Sequence, residues 1–302
     1  MAIFTNQAQL LYGGQVINSN IAVGEITDVL SVTKTAVQSE YGQDDRITYI
    51  ISLVNTGEET ITELTVSDNL GAYEFGEALI VPLDYVADTL HYFLDGALQA
   101  TPTITDINPL TVTGIQVPAN GNATIIYEAA TNTFTPHGLN AEIVNTVTVE
   151  GACTELSAEE TVESEDEAIL SVAKSITPVP VQGCGEITYT FHLQNAGNTA
   201  VLADGDAQIT DTFEPILTDL VVTFNGATWT EGVEYTYNEN TGLFRSVPGQ
   251  VTVPEATFVQ NTETGAWEIT PGMSTLTISG YLTGLCCNNG TVESTNNRTM
   301  KK

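Results

Sequence analysis

Basic residues are scarce in this sequence: 7 Lys and Arg stand against 38 Asp and Glu in 302 residues, a formal net charge of -31. Nucleic acid and anionic membrane surfaces are held by Lys/Arg patches, so both are excluded as partners. Cysteine is rarer still, with four residues. Cys286 and Cys287 are adjacent while Cys153 and Cys184 stand alone, which matches no zinc spacing. The three histidines, His91, His137 and His192, are scattered. No metal and no cofactor are expected. Apolar runs of membrane-span length are missing, so no membrane insertion is expected. The opening Met-Ala-Ile-Phe-Thr-Asn-Gln lacks the basic and apolar regions of a secretory signal, which leaves the export route open. Helical periodicity does not appear at length, and no Ser/His/Asp or paired-carboxylate arrangement has supporting context. The chain does not read as an enzyme.

What is present is a repeat. Leu30-Ser-Val-Thr-Lys34 and Ile47-Thr-Tyr-Ile-Ile-Ser-Leu-Val-Asn-Thr-Gly57 return as Leu170-Ser-Val-Ala-Lys174 and Ile187-Thr-Tyr-Thr-Phe-His-Leu-Gln-Asn-Ala-Gly197. Both words move by the same interval, so the spacing inside the unit is kept. The interval is far longer than a solenoid repeat, and each copy should be a domain with its own core. A hydrophobic fraction of 42% is enough to build two such cores.

Short runs rich in Val and Thr, punctuated by Asn-Gly, Gly-Asn and Thr-Gly, predict an all-β chain of two tandem immunoglobulin-like Greek-key β-sandwiches. In the first copy strands are expected at 29–37, 47–55, 64–68, 124–127 and 143–149. A closing strand is expected at 161–163, inside an acidic linker that runs from Cys153 to Glu167. In the second they fall at 170–176, 187–195, 208–213 and 274–278. The stretch Thr223 to Trp267 reads as an insertion. The domain boundaries are then 1–27 for an amino-terminal β arm, 28–167 for the first domain and 168–302 for the second.

The arm has its own logic. Asn6-Gln-Ala-Gln-Leu-Leu-Tyr12, a Gly13-Gly14 turn, and Val16 to Val23 look like the end of a repeat, Asn145-Thr-Val-Thr-Val-Glu-Gly151 and the strand after it. The chain thus opens with a hairpin suited to the end of a domain, and no counterpart of the 161–163 strand is seen after the second copy. One subunit's surplus would fill the next one's gap by β-strand addition. The alternative is an arm folded back on the first copy.

Lys34 and Lys174 occupy the same repeat position. Side chains alternate along a strand, so Lys34 shares a face with Leu30 and Val32, and Lys174 with Leu170 and Val172. Both lysines are expected to point at the core. Asp68 and Asn145, and Asp211 in the second copy, likewise interrupt apolar stripes, and buried polar groups need partners. Lys, Asp and Asn in one dry pocket fit two states. One is a buried ion pair hydrogen-bonded to the Asn. The other is an isopeptide bond, in which a neutral Lys amine attacks the Asn carboxamide, ammonia leaves, and a protonated Asp polarises the carbonyl. The first-copy set is Lys34, Asp68 and Asn145. For Lys174 and Asp211 the Asn is open: Asn288 and Asn296 fit by offset, and Asn6 fits if the arm of a neighbour inserts.

The words Ser31-Val-Thr-Lys34-Thr, Ile47-Thr-Tyr49, Val54-Asn-Thr-Gly57, Leu64-Thr-Val-Ser-Asp68 and Asn145-Thr-Val-Thr-Val149 resemble the tandem bacterial surface-repeat domain, the domain-of-unknown-function family eleven. They are also similar to the isopeptide-forming domains of Gram-positive fimbrial subunits. That resemblance implies an immunoglobulin-like sandwich on a bacterial exterior, and a bond from Lys34 to Asn145 assisted by Asp68. In such a layout Cys184 lies at the same far end as Cys286 and Cys287, and Cys153 at the other. A Cys184–Cys286 disulfide and an intersubunit bond from Cys286 or Cys287 to Cys153 are both open. No Leu-Pro-x-Thr-Gly signal closes the sequence. The expected function is a structural subunit that self-assembles head to tail into an extracellular or spore-surface fibre. The second reading is a monomeric adhesin that recognises a carbohydrate or host protein through the 223–267 stretch.

Overall fold

The structure, a computed structural model, describes residues 2–26, 29–151, 154–181 and 183–283. Apart from a 3-10 turn at Ala203–Gly205, every regular element among the described residues is a β-strand. Among the described residues no helix is long and apolar enough to cross a membrane. The chain divides into two compact units, Met1–Glu165 with Val259–Glu268, and Asp166–Phe258 with Ile269–Lys302.

In the first unit two sheets enclose one core. One sheet runs Ala97–Leu98, His91–Leu94, Gly121–Thr131, Arg46–Asn55, Leu30–Ala36, with Leu83–Tyr85 also paired to Gly121–Thr131. The other runs Thr103–Ile107, Leu110–Val117, Ile61–Asp68, Glu142–Gly151, Thr154–Ser164, Glu40–Tyr41. Neighbours far apart in sequence, such as Ile61–Asp68 beside Glu142–Gly151, are the crossovers of a Greek-key sandwich. The reason is alternation. Ile47, Tyr49, Ile51 and Leu53 turn inward from one strand, and Ala123, Ile125, Tyr127 and Ala129 from its partner. Each large apolar side chain removed from water stabilises the unit by roughly 1.5–3 kcal/mol.

The acidic stretch differs from its expected role as a linker. Thr154–Ser164 is one strand of eleven residues, antiparallel to Glu142–Gly151. Leu156, Ala158 and Val162 turn inward while Glu155, Glu159 and Glu163 face solvent. Three acids on the wet face, and Leu156, Ala158 and Val162 beside a half-buried Glu160 on the other, make a half-buried strand, whatever the net charge.

The second unit repeats the first sheet in the same spatial order: Ala227–Trp229, Leu217–Phe224, Gly272–Leu282, Glu186–Asn195, Leu170–Thr177. Its other layer, among the described residues, is a three-stranded sheet of Thr210–Thr212, Leu243–Ser246 and Tyr235–Asn238. A separate core centres on Phe213, Phe244, Leu276 and Ile278. The stretch 223–267 is therefore not an insertion as a whole, because Ala227–Trp229, Tyr235–Asn238 and Leu243–Ser246 within it are strands of these sheets. The loop after the second strand is built identically in both units. Asn55 Nδ2 donates to the carbonyl of Glu59 at 2.8 Å, and Asn195 Nδ2 to that of Thr199 at 2.7 Å.

The amino-terminal arm is a long hairpin. Ala2–Asn6 pairs with Ala22–Ile26, and Gln9–Tyr12 with Gln15–Asn18. Gly13 and Gly14 both take positive φ, 59° and 81°, as a tight two-residue turn between strands requires. Its side chains from Thr5 to Val23 are exposed, including Leu10, Leu11, Tyr12, Val16 and Ile17. It is not folded back onto the first unit's core.

Candidate functional site

Three neighbouring strands bring the first-copy residues together. Lys34 faces inward from Leu30–Ala36, Asp68 ends Ile61–Asp68, and Asn145 sits on Glu142–Gly151, whose Val147 pairs with Asp68. All three are buried, and the Lys34 side chain is 0% exposed. Lys34 Nζ donates to Asp68 Oδ2 at 2.5 Å, and the Leu70 amide donates to Asp68 Oδ1 at 3.0 Å. The Asn145 carboxamide is fixed at both ends. Its Oδ1 accepts from the Gly71 amide at 3.2 Å, and its Nδ2 donates to the Tyr127 hydroxyl at 3.2 Å. The Asp68 carboxylate acts on the Tyr127 hydroxyl as well, adding to the upward shift that burial gives the phenol. Two hydrogen-bonded pairs, Lys34 with Asp68 and Asn145 with Tyr127, thus share the dry centre of the sandwich.

Burial lowers the Lys34 ammonium to about 8, with Asp68 and, more weakly, Glu160 pulling the other way. Removing a charge from water disfavours the charged form, and the adjacent carboxylate only partly restores it. The phenols respond in the opposite direction. Burial raises Tyr127 well above its ordinary value, with the Asp68 carboxylate adding to the shift. Tyr49 is raised by burial too, and Asn145 opposes that shift. No hydrogen bond of sound geometry reaches the Tyr49 hydroxyl. Its ring stacks on Tyr127 at 5.6 Å and lies 4.8 Å from Lys34 Nζ. Tyr127 and Tyr49 escape the sequence reading, which looks for charged interruptions. The signal is there, since each places a hydroxyl at an inward position of an apolar strand.

The second copy differs. Lys174 and Asp211 form an ion pair, but the Lys174 side chain is 38% exposed and Asp211 20%. The expectation that Lys174 points at a closed core fails because the whole strand Leu170–Thr177 is uncovered. Leu170 is 53% exposed where Leu30 is 7%. In the first unit the strand Thr154–Ser164 packs over Leu30–Ala36. Tyr189, Phe191 and Phe213 ring Lys174 Nζ at 4.3, 5.3 and 5.4 Å. The position of Tyr127 is held by Ile278, which pairs with Tyr189 as Tyr127 pairs with Tyr49.

Asn6 lies on the arm, exposed. Asn288, Asn296, Cys153, Cys286 and Cys287 fall outside the described residues. Cys184 is disulfide-bonded. Among the described residues no group of three His, Cys, Asp or Glu is arranged to hold a metal. Trp229 and Tyr235 are buried in the second core, and the Trp267 indole donates to the Tyr73 hydroxyl at 3.3 Å.

No family model matches the chain, and no curated protein matches it. The surface-repeat resemblance therefore rests on the residues alone. Among solved structures, the chain is similar to the 35 kDa C-terminal fragment of the major pilin GBS80 of Streptococcus agalactiae. Identity is 11% and the TM-score 0.33, over 81% of this chain and 91% of that one. It is similar to the pilus backbone RrgB of Streptococcus pneumoniae (11%, 0.32, 80% and 55%). A third is the collagen-binding domain of a Staphylococcus aureus adhesin (14%, 0.29, 46% and 99%). Likeness at this level carries no functional argument. The sheets and cores described above are what make the chain an all-β protein of two immunoglobulin-like sandwiches with a β-hairpin arm.

Proposed function

We propose that this protein is a structural subunit that polymerises head to tail into an extracellular or spore-surface fibre by strand donation. The observation that carries the reading is a mismatch within one chain. Among the described residues, a hairpin with exposed apolar side chains packs on no core, and Leu170–Thr177 is left exposed along its whole length, Leu170, Val172 and Ile176 included. A long exposed edge beside an unpaired hairpin is an association surface. The adhesin alternative rests on the 223–267 stretch, and two of that stretch's aromatics, Trp229 and Tyr235, fill the core.

Within each subunit, the first unit hardens itself. Neutral Lys34 attacks Cγ of Asn145, which the Gly71 amide polarises. The Nζ–Cγ bond forms and the Cγ–Nδ2 bond breaks. Lys34 gives its proton to Asp68, and Tyr127 passes one on to the departing nitrogen, which leaves as ammonia. Amine plus carboxamide gives secondary amide plus ammonia, with no oxidant. The low Lys34 value supplies the nucleophile near neutral pH.

Electron microscopy and light scattering of the full chain beside a chain lacking residues 1–26 test the assembly. Fibres from the former and monomers from the latter are expected. A wild-type chain that stays monomeric under all conditions sinks the fibre reading. The intact mass of the denatured chain, one ammonia below the sequence and restored by Asn145→Ala, tests the internal bond.

A further inference from the structure

The uncovered strand Leu170–Thr177 borders a groove of about 360 Å³ whose floor includes Phe191, Leu193, Val251 and Val253. Its far wall, Ala207–Thr210, leads to Asp211, and Val172 leads along the strand to Lys174. The first unit shows what belongs over such a strand, because there the hairpin of Glu142–Gly151 and Thr154–Ser164 brings Asn145 into the Lys34–Asp68 site. The arm matches that hairpin. Asn6 precedes Tyr12, the last residue before the turn, by the same six positions that separate Asn145 from Gly151. Both asparagines are followed at alternate positions by apolar residues: Ala8 and Leu10 in one, Val147 and Val149 in the other.

We propose that the arm of a second copy docks over Leu170–Thr177, and that Lys174 of the acceptor then forms an amide with Asn6 of the donor. This rests on the strand-donation reading and adds that docking itself triggers the cross-link. In the free chain solvent reaches Lys174, and Asp211 with three aromatic rings surrounds it without closing over it. The docked hairpin completes the enclosure, as Thr154–Ser164 does for Lys34. The acceptor ammonium loses one proton to Asp211 and attacks Cγ of Asn6. The Nζ–Cγ bond forms, the Cγ–Nδ2 bond breaks, and the nitrogen leaves as ammonia with a proton from the same amine. One amide joins two chains, and a subunit that has not docked stays unlinked.

The experiment is a reducing, denaturing gel of full-length chains with peptide mapping of each band. Wild type is expected to give a ladder of multiples, and the map a Lys174 peptide joined to the Asn6 peptide. Lys174→Ala alone and Asn6→Ala alone should each form fibres that disperse entirely to monomers. Mixing the two variants should restore one covalent product, a dimer, because only one of them offers the amine and only the other the carboxamide. Native wild-type fibres that disperse to monomers in denaturant overturn the cross-link and leave strand donation standing. A Lys174 peptide joined to Asn288 or Asn296, or a monomer-sized product that needs both Lys174 and Asn6, overturns the two-copy bond. Wild type that forms no fibres even in native buffer overturns strand donation itself.

Discussion

Two lysines at the same repeat position, each ion-paired to an aspartate of the other sheet of its unit, live in different solvents. Lys34 sits under a complete sandwich with Tyr127 and Asn145 beside it. Lys174 sits at an open strand with aromatic rings around it and Ile278 where the phenol would be. The lesson is that position in a repeat sets direction, while the neighbouring strand sets chemistry. A lysine becomes a nucleophile only when something covers it, because burial and not the aspartate is what lowers its proton affinity.

The contrast should break most visibly in stability. In the Asn145→Ala background, where the internal bond cannot form, Lys34→Ala leaves Asp68 buried without its cation, and the first unit should lose about 3–5 kcal/mol more. Lys174→Ala should cost the second unit less than about 1 kcal/mol, as for other solvent-reached pairs. Denaturant unfolding followed separately for each unit measures both, and equal losses would erase the distinction.

Tyr127→Phe keeps the ring stack and removes the relay. It should slow ammonia loss on refolding by roughly 10²-fold, the low end of general acid–base effects, while unfolding shifts by only about 1 kcal/mol. Time-resolved intact mass reads the first and denaturant melts the second. A rate unchanged by the substitution removes Tyr127 from the proton path.

Alkali sharpens the comparison further. In Asn145→Ala the internal bond cannot form, and Lys34 titrates near 8 folded against 10.5 unfolded. Between those values the unfolded chain binds more protons, so stability rises with pH. The gain should reach about 2 kcal/mol by pH 10, at 1.36 kcal/mol per unit. Above that, Tyr49 and Tyr127, held above their ordinary values, begin to oppose it. Parallel melts at pH 7, 8, 9 and 10 give the slope, and a flat profile would deny that Lys34 is desolvated.

The smallest effect concerns assembly. With a net charge of -31 on every copy, fibre growth should quicken several-fold between ~10 and ~150 mM salt as the screening length falls from about 30 to 8 Å. Light scattering at matched protein concentration checks it.

Much of this was legible in residues. The repeated words place both lysines, and period-two alternation places Asp68 and Asn145 on inward faces. What alternation could not tell is whether a face is covered, since that depends on a strand contributed from elsewhere in the chain. That is why Lys174 reads like Lys34 and behaves otherwise. Acidity misled for a related reason. Glu155, Glu159 and Glu163 suggest a linker by charge, yet one wet face is all a strand needs to carry them. Tyr127 was missed because a phenol looks apolar until its hydroxyl has a partner.

The packing of Leu30–Ala36 beneath Thr154–Ser164 also has a mechanical meaning. The first and last long strands of the unit are neighbours, so tension entering at one end leaves from the strand beside it. Were Lys34 joined to Asn145 as proposed, that route would be closed covalently, and the hairpins between them would bear none of the pull. Stretched, such a unit would behave as a fixed link of constant length, and any extension of the fibre would have to come from the joints.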